Sequence, residues 1–211
     1  MFLRSRMSQF VRRLLVAAAV LALVTSIAVD AMHERPAAAE SRPTQPGSAL
    51  GFDSEGHLLR PTGYREWIYV GTPLTPNDMN HPQAAFPEFH SVYIHPDAYR
   101  AYRKTGAFPD RTAIVKELAS VGSKQASSGN GYFMGEFTGL EVAIKDQTRF
   151  ADEPGNWAYF SFGHAYPLAH TAQAQATTSC NTCHATANED YVFTQYYPVL
   201  RAAKPSEPAS P

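Results

Sequence analysis

The chain has 211 residues, a formal net charge of −1, 44% hydrophobic and 12% aromatic residues, and two cysteines. That profile excludes a disulfide-stapled miniprotein, a disordered chain and a strongly basic nucleic-acid binder. The totals average two unlike parts, because the first 39 residues hold five arginines, two acids and three of the five methionines around an apolar run. The remaining 172 residues carry 13 basic and 17 acidic side chains, net −4, which argues against anionic polymers or anionic membrane surfaces as partners.

In chain order, Arg4, Arg6, Arg12 and Arg13 form a positive n-region, Leu14 to Val29 is uncharged and apolar, and Ala37-Ala38-Ala39 precedes Glu40. This is the pattern of a secretory signal peptide over residues 1–39, with cleavage after Ala31 as a second position. The run is slightly long for an h-region and short of the roughly 20 residues that span a bilayer, so an uncleaved membrane anchor is the alternative reading of the same segment. Export is expected to place the mature chain in an oxidising compartment, the periplasm if the source is a bacterium. Residues 40–51 and 204–211 are rich in Pro, Ser and Ala and read as disordered linker and tail, leaving 52–203 as the folded domain.

Within that domain, β-favouring runs occupy Glu66 to Val70, Phe89 to Ile94, Thr112 to Leu118, Tyr132 to Phe137, Leu140 to Lys145 and Trp157 to Phe162, separated by Gly, Pro, Asn and Asp. Pro96 opens a helix over Asp97 to Lys104 that Gly106 stops, and Phe193 to Ala203 is a terminal helix interrupted or begun at Pro198. The expected class is α+β, mostly β: a meandering antiparallel sheet with flanking helices and the cysteine segment on a C-terminal helix.

Cys180-Asn181-Thr182-Cys183-His184 is C-x-x-C-H, the attachment signature of a c-type haem. Two thiols three apart on a helical turn can each add to a haem vinyl group, and the adjacent imidazole is then held where it can bind iron. A bare C-x-x-C also fits a redox disulfide or half a zinc site. The zinc reading lacks a second pair, and the redox reading lacks a strand-to-helix context near the chain start. Export strengthens the haem reading, since c-type attachment takes place outside the cytoplasm.

The mature chain offers Met79 and Met134 as sixth ligands. Met134 falls in a strand among glycines and aromatics and reads as core packing. Met79, in a polar loop, fits either role. Two strand positions break the apolar pattern. Lys116 shares a face with Ile114 and Leu118, and His90 with Val92 and Ile94. From pattern alone these are a snorkelling or ion-paired lysine and a satisfied core histidine. The other histidines lie in loop-like context and read as surface groups.

Taken together, Tyr64-Arg65-Glu66-Trp67, Val70-Gly71-Thr72, Val92-Tyr93-Ile94, Val115-Lys116-Glu117-Leu118, Gly131-Tyr132-Phe133-Met134-Gly135, Pro154-Gly155-Asn156-Trp157, the C-x-x-C-H and Val192 to Arg201 closely resemble the cytochrome P-460 family, whose relatives include the cytochromes c′-beta. The resemblance is collinear from Tyr64 to Arg201. It implies a periplasmic, mostly β, homodimeric haem protein with one haem c on Cys180 and Cys183 and His184 as proximal iron ligand. In hydroxylamine-oxidising members a lysine nitrogen is bonded to a meso carbon of the porphyrin, and that lysine stands in the same V-K-E-L run as Lys116. The lysine then has a catalytic and cofactor-binding role, and His90 matches a position where relatives place a polar distal residue.

The activity so implied is oxidation of hydroxylamine at an open distal haem site, with electrons passing to a small c-type cytochrome. Members that complete the reaction use a pocket carboxylate from the stretch before C-x-x-C-H. Here Gly163 to Ser179 contains no Asp or Glu, only His164, His170, Gln173 and Gln175. That departure keeps a second reading open, a cytochrome c′-beta-like protein that binds nitric oxide without turnover. Its marker is a pocket lined by phenylalanine, for which Phe133, Phe137, Phe160 and Phe162 are available. A third reading, an electron carrier with a methionine sixth ligand, ranks last.

Overall fold

The computed structural model describes residues 50–205. The expected leader, most of the linker and most of the tail lie outside the described residues. Among the described residues no helix is long and apolar enough to cross a membrane.

Five antiparallel strands form the main sheet in the order β2 (Ile68–Gly71), β3 (Phe89–Ile94), β4 (Ala113–Val121), β7 (Met134–Lys145) and β8 (Trp157–Ser161). Each pairs with the next in sequence, so the sheet is a meander. A short ladder of β1 (Leu58–Leu59) with β9 (Thr171–Ala172) closes one side, and a hairpin of β5 (Gln125–Ala126) and β6 (Gly129–Asn130) is inserted between β4 and β7. The architecture is α+β and mostly β.

Two expected strands, Tyr132 to Phe137 and Leu140 to Lys145, are one strand, β7. The Thr-Gly pair between them reads as a turn, but the ladder with β4 steps from Leu118↔Gly139 to Ala119↔Phe137, so Thr138 is absorbed as a bulge. Gly139 permits this because a Cβ there would lie 2.8 Å from the Gly163 carbonyl oxygen. At the other end of the sheet, Tyr64–Glu66 is a 3₁₀ turn and the strand begins only at Ile68.

Helix α1 (Pro96–Thr105) has Pro96 in its first turn, Asp97 near its N-terminus, Arg103 and Lys104 in its last turn, and Gly106 in the left-handed region at φ 73°. It buries Ala98 and Tyr102, one turn apart on one face. The attachment motif forms α2 (Cys180–His184). The terminal segment is a 3₁₀ turn at Thr194–Tyr196 followed by α3 (Pro198–Ala203), so the helix begins at Pro198.

Strand alternation divides the sheet into two buried faces. Val115, Leu140, Val142, Ala158 and Phe160 pack with Leu58, Tyr64 and Leu168 on one face. Val70, Val92, Ile94, Ile114, Trp157 and Tyr159 pack on the other with α1, Cys180, Val192 and Leu200. Each fully buried side chain of this size contributes about 1.5–3 kcal/mol, so both layers hold the sheet. The second face is the one the attachment helix covers.

Candidate haem site

Helix α2 is pinned to the edge of the sheet by a residue inside the motif. Asn181 is 2% exposed, and its Nδ2 donates to the Trp157 carbonyl oxygen at 2.9 Å. Cys180 is half-buried in the core layer, Cys183 is exposed, and the two thiols are not joined to each other. Burial raises the pKa of the Cys180 thiol.

His184 is held on three sides. Its ring lies 4.3 Å from that of Tyr159 and 5.1 Å from that of Phe193, and Nδ1 donates to the Tyr191 carbonyl oxygen at 2.7 Å. That bond fixes the tautomer and leaves Nε2 as a lone-pair donor. Burial is the main influence that lowers the His184 pKa, keeping the ring in the neutral form that ligates metal.

Strand register carries this position to the residues singled out on periodicity. Across one row of the face stand Ile94, Ile114, Ala143 and Tyr159, and across the next stand Val92, Lys116, Glu141 and Ser161. Successive same-face rows are about 7 Å apart, so Lys116 lies one row from the aromatic ring that carries His184. His90 pairs with Leu118 in the row beyond, on the same face.

Lys116 Nζ makes a close ion pair with a Glu141 carboxylate oxygen, and both side chains are largely withdrawn from solvent at 24% and 21% exposure. The other Glu141 oxygen lies 3.3 Å from His164 Nε2. Phe86 closes the group, its ring centroid 4.5 Å from Lys116 Nζ, 6.0 Å from the His90 ring and 6.1 Å from the His164 ring. His90 Nε2 is buried with no hydrogen-bond partner. Burial, reinforced by the Lys116 charge, pushes the His90 pKa down to about 4, so its ring is neutral at pH 7.

These features fit a haem. The chain presents two free thiols with c-type spacing, an imidazole with one nitrogen satisfied and the other free, and an unpartnered buried nitrogen on the same sheet face.

The cytochrome P460 family model matches residues 61–194. The chain belongs to the cytochrome P460 family and is a c-type haem protein. Comparison with curated proteins gives no match.

Several expectations fall differently in the structure. Met134 is not core packing: it is 49% exposed and pairs with Val121 at the far end of β7. It stands nine positions from Ala143, about 30 Å along the strand. Met79 is 72% exposed. Of the four phenylalanines, Phe160 and Phe162 are buried in the opposite layer, and Phe137 is exposed beneath the Arg65 guanidinium at 4.6 Å. The phenylalanine at the Lys116 face is Phe86, from the loop before β3. Among the polar residues of 163–179, His164 joins the Lys116 cluster, whereas Gln173 bonds His57 and His170 is exposed.

Sequence reasoning missed Glu141. The resemblance points to a carboxylate in the stretch before C-x-x-C-H, whereas this one comes from the middle of β7. Alternation in Leu140-Glu141-Val142-Ala143-Ile144 does separate Glu141 from the apolar face, but only the register with β4 places it opposite Lys116.

Proposed function

We propose that this chain is an exported, periplasmic hydroxylamine oxidoreductase, working as a homodimer and passing electrons to a small c-type cytochrome. Cys180 and Cys183 would hold haem c through thioether bonds, His184 Nε2 would be the proximal ligand, and Lys116 Nζ would be bonded to the porphyrin. Bound haem c would supply a redox-active iron able to accept electrons from hydroxylamine.

The chain's own residues serve the protons. Oxidising an N–H and O–H substrate releases protons, so a base within reach lowers the barrier. Glu141 accepts them, and half-exposed His164, 3.3 Å from its carboxylate, passes them to solvent. His90 Nε2, unpartnered and neutral, offers a hydrogen-bond acceptor to the N–H or O–H of a bound substrate. Phe86 packs its ring against the Lys116 ammonium at the edge of the cluster.

The observation that carries this reading is the Glu141 carboxylate opposite Lys116 on the sheet face that also carries the Tyr159–His184 stack. It supplies the acid–base group that residues 163–179 lack. The reading in which the chain binds nitric oxide without turnover rests on Phe86, which brings one aromatic ring to a wall otherwise made of Lys116, Glu141, His90 and His164. Steady-state consumption of hydroxylamine with a chemical oxidant separates the two. Sustained turnover supports the oxidoreductase, and a single stoichiometric binding event with no consumption overturns it.

A further inference from the structure

The segment after the attachment motif violates local backbone preference at the point where it touches His184. Val192 N donates to the Glu189 carbonyl oxygen at 2.8 Å, and the two residues between, Asp190 and Tyr191, have φ of 42° and 61°. Such a turn, left-handed at both central residues, favours Asn-Gly. Asp tolerates the conformation, but a tyrosine there is strained.

Each residue of the turn is separately anchored. Asp190 Oδ2 accepts from Lys145 Nζ at 2.7 Å, and Oδ1 accepts from Trp157 Nε1 at 3.2 Å. The Lys145 side chain is only 14% exposed. The Tyr191 ring lies over Gly155, where a Cβ would come within 2.5 Å of it, and Gly155 itself has φ 63°. Val192 is buried, and Glu189 takes the Tyr102 hydroxyl at 3.2 Å, the Thr194 hydroxyl at 3.1 Å and Lys204 Nζ at 3.3 Å.

What these anchors hold in place is the Tyr191 carbonyl. It receives His184 Nδ1 at 2.7 Å, short for an N–H···O bond, and the Tyr159 hydroxyl at 3.3 Å. The more strongly a carbonyl accepts from Nδ1, the more basic the opposite nitrogen becomes. A second donor on the same oxygen withdraws part of that strength.

We infer that the Glu189–Val192 turn, clamped by Lys145 and Trp157 through Asp190, sets the electron donation of His184, and that the Tyr159 hydroxyl opposes it at the same carbonyl. Lys145, Asp190 and Tyr159 are thus positioning residues acting through His184. The inference rests on His184 being the proximal ligand.

The test is the iron–histidine stretching band of the ferrous holoprotein, with the midpoint potential measured alongside. Lys145→Met frees Asp190 and loosens the turn, so the stretch moves to lower frequency and the potential rises. Tyr159→Phe removes the competing donor, so the stretch moves up and the potential falls. Asp190→Asn keeps an acceptor for Trp157 Nε1 and tolerance of the left-handed conformation while losing the charge. It shifts in the Lys145→Met direction and stands in if that variant does not load haem. Unchanged bands, or shifts of the same sign in Tyr159→Phe and the clamp variants, overturn the clamp. An iron–histidine band missing from the parent protein instead overturns the ligand assignment, and the clamp with it.

Discussion

Lys116 and Glu141 stand directly opposite each other on β4 and β7, and their side chains meet on the sheet face that also carries the Tyr159–His184 stack. In the proposed reaction this carboxylate is the group that collects protons from the substrate. Glu141→Gln is expected to keep haem attachment and the ferrous absorption spectrum while lowering hydroxylamine turnover by about 10²–10⁴, the range for loss of a general base. Steady-state kinetics with a chemical oxidant check this. Undiminished turnover in the variant would remove Glu141 from the mechanism.

Replacing the lysine addresses the porphyrin bond itself. Lys116→Ala should retain haem on Cys180 and Cys183 but lose the red-shifted Soret band expected of the reduced, cross-linked protein. In a peptide digest of the parent, haem should remain attached to the Lys116 peptide as well as to the cysteine peptide. An unchanged spectrum in the alanine variant would sink the cross-link.

His90 makes stability depend on pH. Its pKa is down at about 4 in the fold, against 6.5 unperturbed, because burial and the Lys116 charge disfavour the imidazolium, outweighing the opposite pull of Glu141 and the Phe86 backbone. Between these values the unfolded chain binds a proton that the folded chain refuses. The stabilisation is therefore fully present above about pH 6.5 and is lost as pH falls toward 4, by roughly 2–3 kcal/mol. Denaturant unfolding of the parent and of His90→Gln at pH 7, 5.5 and 4.5 measures it. The variant should show a flatter dependence, and parallel slopes would contradict the assignment.

On the opposite face, Glu117 is 2% exposed and accepts the Tyr64 hydroxyl at 2.5 Å and Arg65 Nε at 3.1 Å. Burial, and next the bond to Glu117, raises the Tyr64 pKa well above that of a free phenol. Tyr64→Phe leaves the buried carboxylate one donor short and should cost about 1.5–3 kcal/mol in denaturant unfolding. Because Glu117 points away from Lys116, the haem spectrum should not move. A spectral change would mean that the two faces are coupled through β4.

The parts of the site legible in the sequence were those whose signal is local. C-x-x-C-H is five consecutive residues, and the odd placement of Lys116 and His90 shows in the two-residue alternation of their own strands. Glu141 and Phe86 carry no such signal. Glu141 is one of several strand acids, and Phe86 lies in a loop before β3. The bulge at Thr138 is illegible in the sequence for the same reason, since a Thr-Gly pair marks a turn or a bulge depending on what faces it across the ladder.

The sequence by itself determined the haem chemistry, the family and the α+β, mostly β class, because spacing of thiols and strand periodicity are properties of neighbouring residues. Tertiary structure alone decided which residues share the site. Register brings Lys116 and Glu141, 25 positions apart, into one ion pair, and a strained turn presents the Tyr191 carbonyl to His184. Both depend on long-range ladder hydrogen bonds and buried anchors, which a chain possesses only once folded.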